Sequence, residues 1–339
     1  MEVTLGNSIH YNNISVMGAG AWGTAIAIAL SKDNKKINIW AKEKEVVDTI
    51  NISNKNDLFL PGISLPSTIV AYNNFEFLKN TNLLFLVTPA QYLRSTLENI
   101  RGLIDNKIPI VLCSKGVEIG SLKLMSEVAD EYLPTNPIAI LSGPSFAKDV
   151  AINLPTALTL ACKDKSVGKK IAETISSPQF RIYQSPDIVG AQIGGATKNI
   201  IAIASGIVFG KELGDSARSA LITRGFSEIS RLAQALGGEA KTLAGLSGMG
   251  DLILTCNSET SRNFTLGMKL GKGMNINEAT NGLTSVAEGM FSTRAVIELA
   301  KNYNIIMPIT DSINKLINNE SDIDTIIEEL LSRPLKEEA

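Results

Sequence analysis

Three glycines near the start of the chain, at positions 18, 20 and 23, have the spacing Gly-x-Gly-x-x-Gly. An apolar run, Ile14–Met17, precedes them, and an Ala- and Ile-rich stretch of helical composition follows, so the motif connects a predicted strand to a predicted helix. In that setting Gly18 permits a tight turn, Gly20 lets the main chain approach a pyrophosphate, and Gly23 lets the helix pack closely on the sheet. The helix N-terminus offers unpaired N–H groups to the phosphates. The motif therefore predicts dinucleotide binding, in preference to an ordinary strand–helix turn.

Hydride transfer by such a cofactor also needs a group that passes the hydroxyl proton. The only histidine, His10, precedes the first predicted strand, so a lysine, a carboxylate or a tyrosine is expected to do this. Lysines in apolar settings are candidates because desolvation lowers the pKa of a lysine towards neutrality. Lys115 follows the predicted strand Ile108–Cys113, at the strand end where ligands bind. Lys198 lies inside a long apolar stretch, where it either reaches water or lines a site, and we favour a site.

The second predicted strand, Ile37–Trp40, bears on the choice of cofactor. NAD-binding chains normally carry a carboxylate about 20 residues beyond the glycine motif, where it meets the ribose hydroxyls. Here no acid stands at the strand end, and Lys42 is placed to meet a 2′-phosphate, although Glu43 follows it. A solvated surface lysine is the alternative interpretation of Lys42. We expect NADP or NAD and favour NADP.

Length and composition are typical of a two-domain enzyme with sizeable cores: 339 residues, 44% hydrophobic. A formal charge of −2 argues against nucleic acid or an anionic membrane as a partner. The three cysteines, Cys113, Cys162 and Cys256, are too widely spaced for a disulfide framework or a zinc site, and we expect no metal. The polar leader Met1–Asn12 lacks the pattern of a signal peptide. We therefore expect a reducing, cytoplasmic location.

The stretch 188–209 is long and apolar enough to be tested as a membrane span. Lys198 and Asn199 lie near its middle, and Gln192 lies one and a half turns earlier. An ionisable group at the centre of a bilayer is costly, and this chain offers no second span to face it. A buried core helix, and no integral membrane segment, is the better interpretation.

Strand and helix patterns alternate in the first part of the chain, which predicts an α/β fold with a doubly wound, mainly parallel, Rossmann-like sheet. The predicted strands are Ile14–Met17, Ile37–Trp40, Leu83–Val87, Ile108–Cys113, Ile138–Leu141 and Ala157–Ala161. Beyond Pro186 the pattern is helical only. The predicted helices there are Ile188–Phe209, Ser216–Leu236, Ser285–Tyr303, Thr310–Asn318 and Ile323–Leu331. We predict a dinucleotide-binding domain over residues 1–187, including the leader 1–12, and an all-α substrate domain over residues 188–339.

Seven motifs in sequence order carry a family resemblance. They are Gly18–Gly23, Ser114–Gly116, Ser142–Ala147, Gly194–Asn199, Gly248–Leu252 with Thr255, Ser261–Asn263 and Val286–Gly289. Over essentially the whole chain after the leader, the sequence resembles the NAD(P)-dependent glycerol-3-phosphate dehydrogenases of bacterial type. Seven ordered motifs are far more specific than any one of them.

The resemblance implies reversible reduction of dihydroxyacetone phosphate to sn-glycerol 3-phosphate by NAD(P)H, which supplies the glycerophospholipid backbone. It implies that Lys198 transfers the proton and that Lys115 and Asp251 belong to the catalytic and substrate site. The other implied substrate residues are Gly143, Ser145, Ser261, Arg262 and Asn263. The implied cofactor residues are Gly18, Gly20, Ala21, Trp22, Gly23, Lys42, Lys115, Ala147, Arg262, Val286 and Glu288. At Ser145 the family also commonly has threonine, which keeps the hydroxyl.

The chemistry of the residues agrees with these roles. The guanidinium of Arg262 suits a phosphate dianion, and Ser261 could cap a helix over Phe264–Leu270 that adds N–H donors. Asp251, in an apolar neighbourhood, would be costly if unpaired, and Lys198 is its expected partner. A helix cap is the alternative role for Asp251.

Two other functions stay open from the sequence alone. One is a hydroxyacid dehydrogenase of similar layout, which would not need the phosphate site at Ser261–Asn263. The other is a non-catalytic dinucleotide-sensing module, which would leave a buried Lys198 unexplained. Glu288 could likewise be only an exposed acid in the first turn of a helix. A homodimer is expected as the assembly.

Overall fold

The computed structural model of the protein describes residues 10–32, 35–281 and 288–332, and every structural statement below concerns these residues. The chain forms two compact units. The first contains the described residues of Met1–Lys115 together with Lys123–Gln192, and the second contains Gly116–Leu122 with the described residues of Ile193–Ala339. A division into independent domains after residue 187 stays a prediction.

The first unit is built on one sheet of eight strands in the order β3-β2-β1-β4-β5-β6-β7-β8. The strands are β1 (Ile14–Met17), β2 (Ile37–Trp40), β3 (Ile69–Tyr72), β4 (Leu83–Leu86), β5 (Ile110–Leu112), β6 (Ile138–Ser142), β7 (Thr156–Cys162) and β8 (Phe180–Ser185). All neighbouring strands are parallel except β6 and β7. The predicted α/β class with a mainly parallel, doubly wound sheet is confirmed.

The two faces of this sheet carry separate apolar clusters, as strand alternation requires. In β4, Leu83 and Phe85 belong to one cluster, and Leu84 and Leu86 belong to the other. Burial on both faces is typical of parallel sheets covered by helices. The helices of this unit are α1 (Ala21–Leu30), α2 (Lys44–Ser53), α3 (Leu93–Ile100), α4 (Met125–Tyr132), α5 (Ala147–Ala151) and α6 (Lys165–Ile175).

The second unit, in the part that the structure describes, consists of helices without a strand, as predicted. Apart from Gly116–Leu122, it starts within α7 (Ile188–Gly210). The following helices are α8 (Asp215–Ala235), α9 (Ala240–Leu243), α10 (Asp251–Cys256), α11 (Arg262–Gly271), α12 (Ile276–Thr280), α13 (Glu288–Asn302), α14 (Pro308–Ile317) and α15 (Ile323–Leu331). The long predicted helices lie within a few residues of these bounds; positions 285–287 of the predicted Ser285–Tyr303 helix lie outside the described residues.

The sequence pattern does not predict β3 and β8, which are the two outermost strands of the sheet. Only Phe180 of β8 is buried, and the rest of that strand carries polar or partly exposed side chains. An edge strand buries less apolar surface than a central one, so its hydrophobic pattern is weaker. The short helices α9, α10 and α12 were missed because four to six residues show no periodicity.

By length and composition, α7 could cross a membrane, and it is the one described helix with this property. Its most apolar window is 89% buried inside the protein. Asp187 begins the helix by accepting a hydrogen bond from the Gly190 N–H at 2.8 Å. The burial matches the predicted core helix.

A buried carboxylate joins two helices of the second unit. Glu228 of α8 is 2% exposed and accepts hydrogen bonds from the N–H groups of Ile309 and Thr310 at 2.7 and 3.2 Å, and from the Thr310 hydroxyl at 2.9 Å. These N–H groups belong to the first turn of α14, where a helix has no internal partners for them. Burial raises the pKa of Glu228 in spite of these donors.

Candidate active site

The glycine motif forms the turn between β1 and α1, and each of its glycines has a distinct role. Gly18 has a φ of +116°, and a Cβ there would lie 2.9 Å from the Val87 carbonyl oxygen. A Cβ at Gly23 would lie 1.8 Å from the Gly18 carbonyl oxygen, so α1 can approach the strand only with glycine. A Cβ at Gly20 would meet no described atom within 4 Å. The main chain at Gly20 is therefore open to a ligand at the start of α1.

Trp22, in the first turn of α1, adds evidence for a ligand beside this turn. Its indole Nε1 is buried and has no hydrogen-bond partner among the described residues. Buried polar groups in proteins are usually satisfied, so an unpaired indole N–H indicates an acceptor supplied from elsewhere. The open main chain at Gly20 and the indole of Trp22 together fit a dinucleotide.

Other predicted residues follow further strands of the same sheet. Lys42 follows β2 and is exposed, the partly exposed Lys115 follows β5, and Gly143 follows β6. Because β1, β2, β4, β5 and β6 are parallel, their carboxyl ends share one edge of the sheet, where ligands bind in folds of this type.

The turn after β6 is also tightly packed. Gly143 has a φ of +147°, and a Cβ there would lie 3.0 Å from a methyl group of Leu158. The Ser145 hydroxyl donates to the Gly143 carbonyl oxygen at 3.2 Å, and Ala147 begins α5 two residues later. Glycine is therefore required here by both conformation and space.

In the second unit, Lys198 of α7 is paired as the sequence predicted. Its Nζ lies 2.5 Å from Asp251 Oδ1 and donates to Thr255 Oγ1 at 2.9 Å. Lys198 is 8% exposed and Asp251 is fully buried. The Thr255 hydroxyl donates its own proton to the Asp251 carbonyl oxygen at 2.6 Å, which turns its lone pairs towards the ammonium. The pair is a buried charge centre with a fixed lysine.

A π-helical turn, Leu246–Gly250, brings Asp251 to this position. The Gly250 N–H donates to the Gly245 carbonyl oxygen at 3.0 Å, five residues back. Such turns are rare and occur often at functional sites. Asp251 is the first residue of α10, and the residue at its N-cap is Gly250. The alternative role of Asp251 as a helix cap is therefore not seen.

Close glycine contacts hold this turn against α7. A Cβ at Gly194 of α7 would lie 2.4 Å from the Ser247 carbonyl oxygen and 3.0 Å from the Gly248 Cα, and on the α9 side a Cβ at Gly248 would lie 2.0 Å from the Leu243 carbonyl oxygen. Main chains therefore touch where the lysine and the aspartate meet.

Cys256 lies at the end of α10, and its pKa responds to the charges of Lys198 and Asp251. Burial raises its pKa to about 12, although Lys198 acts in the opposite direction. The thiol therefore stays protonated at neutral pH and does not compete as a base.

The predicted phosphate-binding segment begins α11. The Ser261 hydroxyl caps the helix by accepting from the Phe264 N–H at 3.3 Å, which confirms the predicted cap, although the helix already begins at Arg262. Arg262 is exposed, whereas Asn263 is 8% exposed and its Oδ1 accepts from the Gly289 N–H at 3.1 Å. An arginine beside a capped helix start is well suited to an anion.

Four glycines bring α11 into main-chain contact with α7. A Cβ at Gly206 or Gly210 of α7 would lie 2.1 or 2.3 Å from carbonyl oxygens of α11, those of Phe264 and Met268. In the reverse direction, a Cβ at Gly267 or Gly271 would lie 2.0 or 2.5 Å from carbonyl oxygens of α7. The Lys198 helix and the Arg262 helix are thereby fixed against each other.

The remaining predicted positions are only partly described. Glu288 is the first residue of α13 and is partly buried, while Val286 lies outside the described residues. His10 is exposed and belongs to the first unit. Thr255 and Gly289 were given no role from the sequence, although the i, i+4 spacing of Asp251 and Thr255 places both on one helix face and could have indicated Thr255.

Comparison with known proteins identifies the family. The family model for the NAD-dependent glycerol-3-phosphate dehydrogenase N-terminus matches residues 13–168, and the model for the C-terminus of the same family matches residues 187–328. A protein of Caulobacter vibrioides named glycerol-3-phosphate dehydrogenase NAD(P)+ is 49% identical over 329 residues, covering 97% of this chain and 99% of the relative. A protein of Parvibaculum lavamentivorans with the same name is 46% identical over 331 residues, covering 98% and 99%.

Solved structures agree with this assignment. The crystal structure of glycerol-3-phosphate dehydrogenase from Coxiella burnetii has a TM-score of 0.91 and 37% identity, covering 94% of this chain and 98% of that one. The chain belongs to the family of NAD-dependent glycerol-3-phosphate dehydrogenases.

Proposed function

We propose that this chain catalyses the reversible reduction of dihydroxyacetone phosphate to sn-glycerol 3-phosphate with NADPH or NADH. The observation that carries the proposal is the buried pair of Lys198 and Asp251 in a chain of this family. Burying two charges is costly, and a purely structural contact could be made with apolar residues at no loss of stability. A reactive ammonium accounts for the cost.

When bound, a nicotinamide cofactor would supply the hydride that reduces the substrate carbonyl carbon. The oxygen of that carbonyl becomes an alkoxide, and the Lys198 ammonium stabilises the developing charge and donates the proton. Asp251 and Thr255 hold the ammonium from two sides, at 2.5 and 2.9 Å. In the oxidation direction the same lysine, once neutral, takes the hydroxyl proton.

The substrate phosphate is assigned to Arg262 at the start of α11. A guanidinium, together with N–H groups of a helix start, meets a dianion with charge and with donors. Lys115, Gly143 and Ser145 are proposed as further substrate residues. A hydroxyacid dehydrogenase would have no use for the arginine site, and the named relatives of 46–49% identity also disfavour that alternative.

The cofactor is assigned to the turn at Gly18, Gly20 and Gly23, with Trp22 beside it. Ala21, Lys115, Ala147, Arg262 and Glu288 are the further cofactor residues in this proposal. Lys42 is proposed to bind the 2′-phosphate of NADP, which its exposed position after β2 supports.

The proposal is tested by following NADPH and NADH oxidation with dihydroxyacetone phosphate and with unphosphorylated dihydroxyacetone. We expect turnover with the first substrate and almost none with the second, because phosphate binding orients the carbonyl and so affects kcat as well as KM. Equal rates on the two substrates would refute the proposed role of Arg262. No turnover with either cofactor would favour a sensing module.

A biosynthetic role in supplying the glycerophospholipid backbone, a cytoplasmic location and a homodimer complete the proposal. The three cysteines are free and buried, which suits a reducing compartment.

A further inference from the structure

Gly289, the second residue of α13, lies where three helices of the second unit meet. Its N–H donates to Asn263 Oδ1 of α11 at 3.1 Å. A Cβ at Gly289 would lie 2.8 Å from that oxygen, 2.9 Å from the Asn199 carbonyl oxygen and 3.0 Å from a methyl group of Ile203, the last two on α7. A side chain at position 289 would therefore push apart α7, α11 and the start of α13.

At this junction each helix carries a residue of the proposed site immediately before the contact. Lys198 precedes Asn199 on α7, Arg262 precedes Asn263 on α11, and Glu288 precedes Gly289 on α13. The proposed proton donor, the proposed phosphate ligand and a proposed cofactor residue are thus each adjacent in sequence to one of the residues that meet at Gly289. Neither the reaction chemistry nor the family resemblance assigns a role to Gly289.

The hydrogen bond at the junction also fixes the orientation of the Asn263 amide. An N–H in the first turn of a helix has no partner within that helix, and a buried one is costly to leave unpaired. The carboxamide oxygen of Asn263 satisfies it, so the amide nitrogen, a donor, is the end that remains to meet an anion.

We propose that Asn263 is a positioning residue that sets Glu288 in the cofactor site through its hydrogen bond with Gly289, while its amide nitrogen serves the substrate phosphate. This inference rests on the proposed function. It makes cofactor affinity depend on a side chain assigned to the substrate, because a single amide holds both helix starts.

Two near-isosteric substitutions separate the two ends of the amide. Asn263→Asp keeps an acceptor for the Gly289 N–H but replaces the donor with an anionic oxygen. Asn263→Leu removes both. In the full-length protein without substrate, with NADPH binding followed by the fluorescence of the nicotinamide, we expect Asn263→Leu to raise the Kd at least about fivefold and Asn263→Asp to raise it less than about twofold. Both variants should raise the KM for dihydroxyacetone phosphate at least about tenfold, because a carboxylate repels the phosphate and leucine offers it no donor.

An equal NADPH Kd for the two variants, or an unchanged Kd in Asn263→Leu, overturns the proposal. A merely structural role for Asn263 would lower the Tm of the leucine variant without the selective rescue of NADPH binding by aspartate. These binding measurements need no turnover, so they stand apart from the test of the proposed function, which fails if the wild-type protein does not oxidise NADPH with dihydroxyacetone phosphate.

Gly289→Ala provides a second test in which the proposed ligands Asn263 and Glu288 themselves are not replaced. Because its Cβ would displace both Asn263 and Asn199, we expect the NADPH Kd and the substrate KM each to rise at least about threefold. Gly102→Ala is the matched control, since a Cβ there meets no described atom within 4 Å, and both constants should stay unchanged. Wild-type constants in Gly289→Ala would contradict the proposal.

Discussion

Replacing Lys198 with methionine removes the ammonium but keeps most of the side-chain volume. Asp251, which is fully buried, then loses the cation 2.5 Å away. Removing one partner of a buried ion pair costs about 3–5 kcal/mol, because the remaining charge can reach neither water nor its partner. We expect Lys198→Met to lower the free energy of unfolding by about this amount and, since an acid–base group is lost, to lower kcat at least about a hundredfold.

The double variant Lys198→Met/Asp251→Leu distinguishes chemistry from stability. Replacing a whole buried pair with apolar residues is often neutral or stabilising. The double variant should therefore regain most of the stability that the single variant loses, so that the losses of the two single variants do not add, and yet remain inactive. This outcome would show that the pair is kept for the reaction.

Unfolding in urea followed by far-ultraviolet circular dichroism is the suitable assay, because both tryptophans, Trp22 and Trp40, lie in the first unit and report little on the helices of the second. Activity is measured at saturating NADPH and dihydroxyacetone phosphate, and Lys115→Met is the comparison. A Lys198→Met protein with nearly normal kcat, beside an inactive Lys115→Met protein, would show that Lys115 donates the proton. Stability losses that simply add in the double variant would show that Lys198 and Asp251 are not coupled.

Three further predictions follow from single positions. Lys42→Asp should shift the ratio of kcat/KM values from NADPH towards NADH, because a phosphate partner becomes a ribose acceptor; an unchanged ratio would show that Lys42 plays no part. Gly23→Ala, whose Cβ would lie 1.8 Å from the Gly18 carbonyl oxygen, should destabilise the protein by about 1–3 kcal/mol or more and weaken NADPH binding, whereas Gly102→Ala should do neither in the same Tm and Kd measurements. Because the pKa of Glu228 is raised above its unfolded value near 4.5, protonation of this carboxyl stabilises the folded state at low pH, and the contribution is lost as pH rises through the folded-state pKa. Glu228→Gln should therefore cost more stability at pH 5 than at pH 7. A greater cost at pH 7 would show that the pKa is shifted in the opposite direction.

The centre of the fold was accessible to sequence analysis because its signals are local. The bounds of β1 and β2 were predicted to the residue, since both strands are short apolar runs ended by the glycine turn or by charged residues. The pairing of Lys198 with Asp251 followed from elementary electrostatics, because each charge lies in an apolar stretch and neither could be buried alone.

The remaining features depend on contacts that no local pattern records. The π-helical turn Leu246–Gly250 is held against α7 by glycines, and Gly194 lies more than fifty residues from its contact with Ser247. The bond between Asn263 and Gly289 spans 26 residues and joins two helix starts. Hydrophobic periodicity describes one element at a time, so it carries no information on which elements touch.

The glycine contacts between α7 and α11 affect which substitutions the sequence can accept during evolution. Where helices meet through large side chains, substitutions in the core change their separation and must be compensated nearby. At Gly206, Gly210, Gly267 and Gly271 the spacing is set by main-chain atoms, whose dimensions are the same in every protein. The distance between α7, which carries Lys198, and α11, which carries Arg262, is thereby independent of changes in the surrounding apolar residues. Much of the apolar core can therefore change during evolution without altering the distance between the proposed proton donor and the proposed phosphate site, provided that these four positions remain glycine.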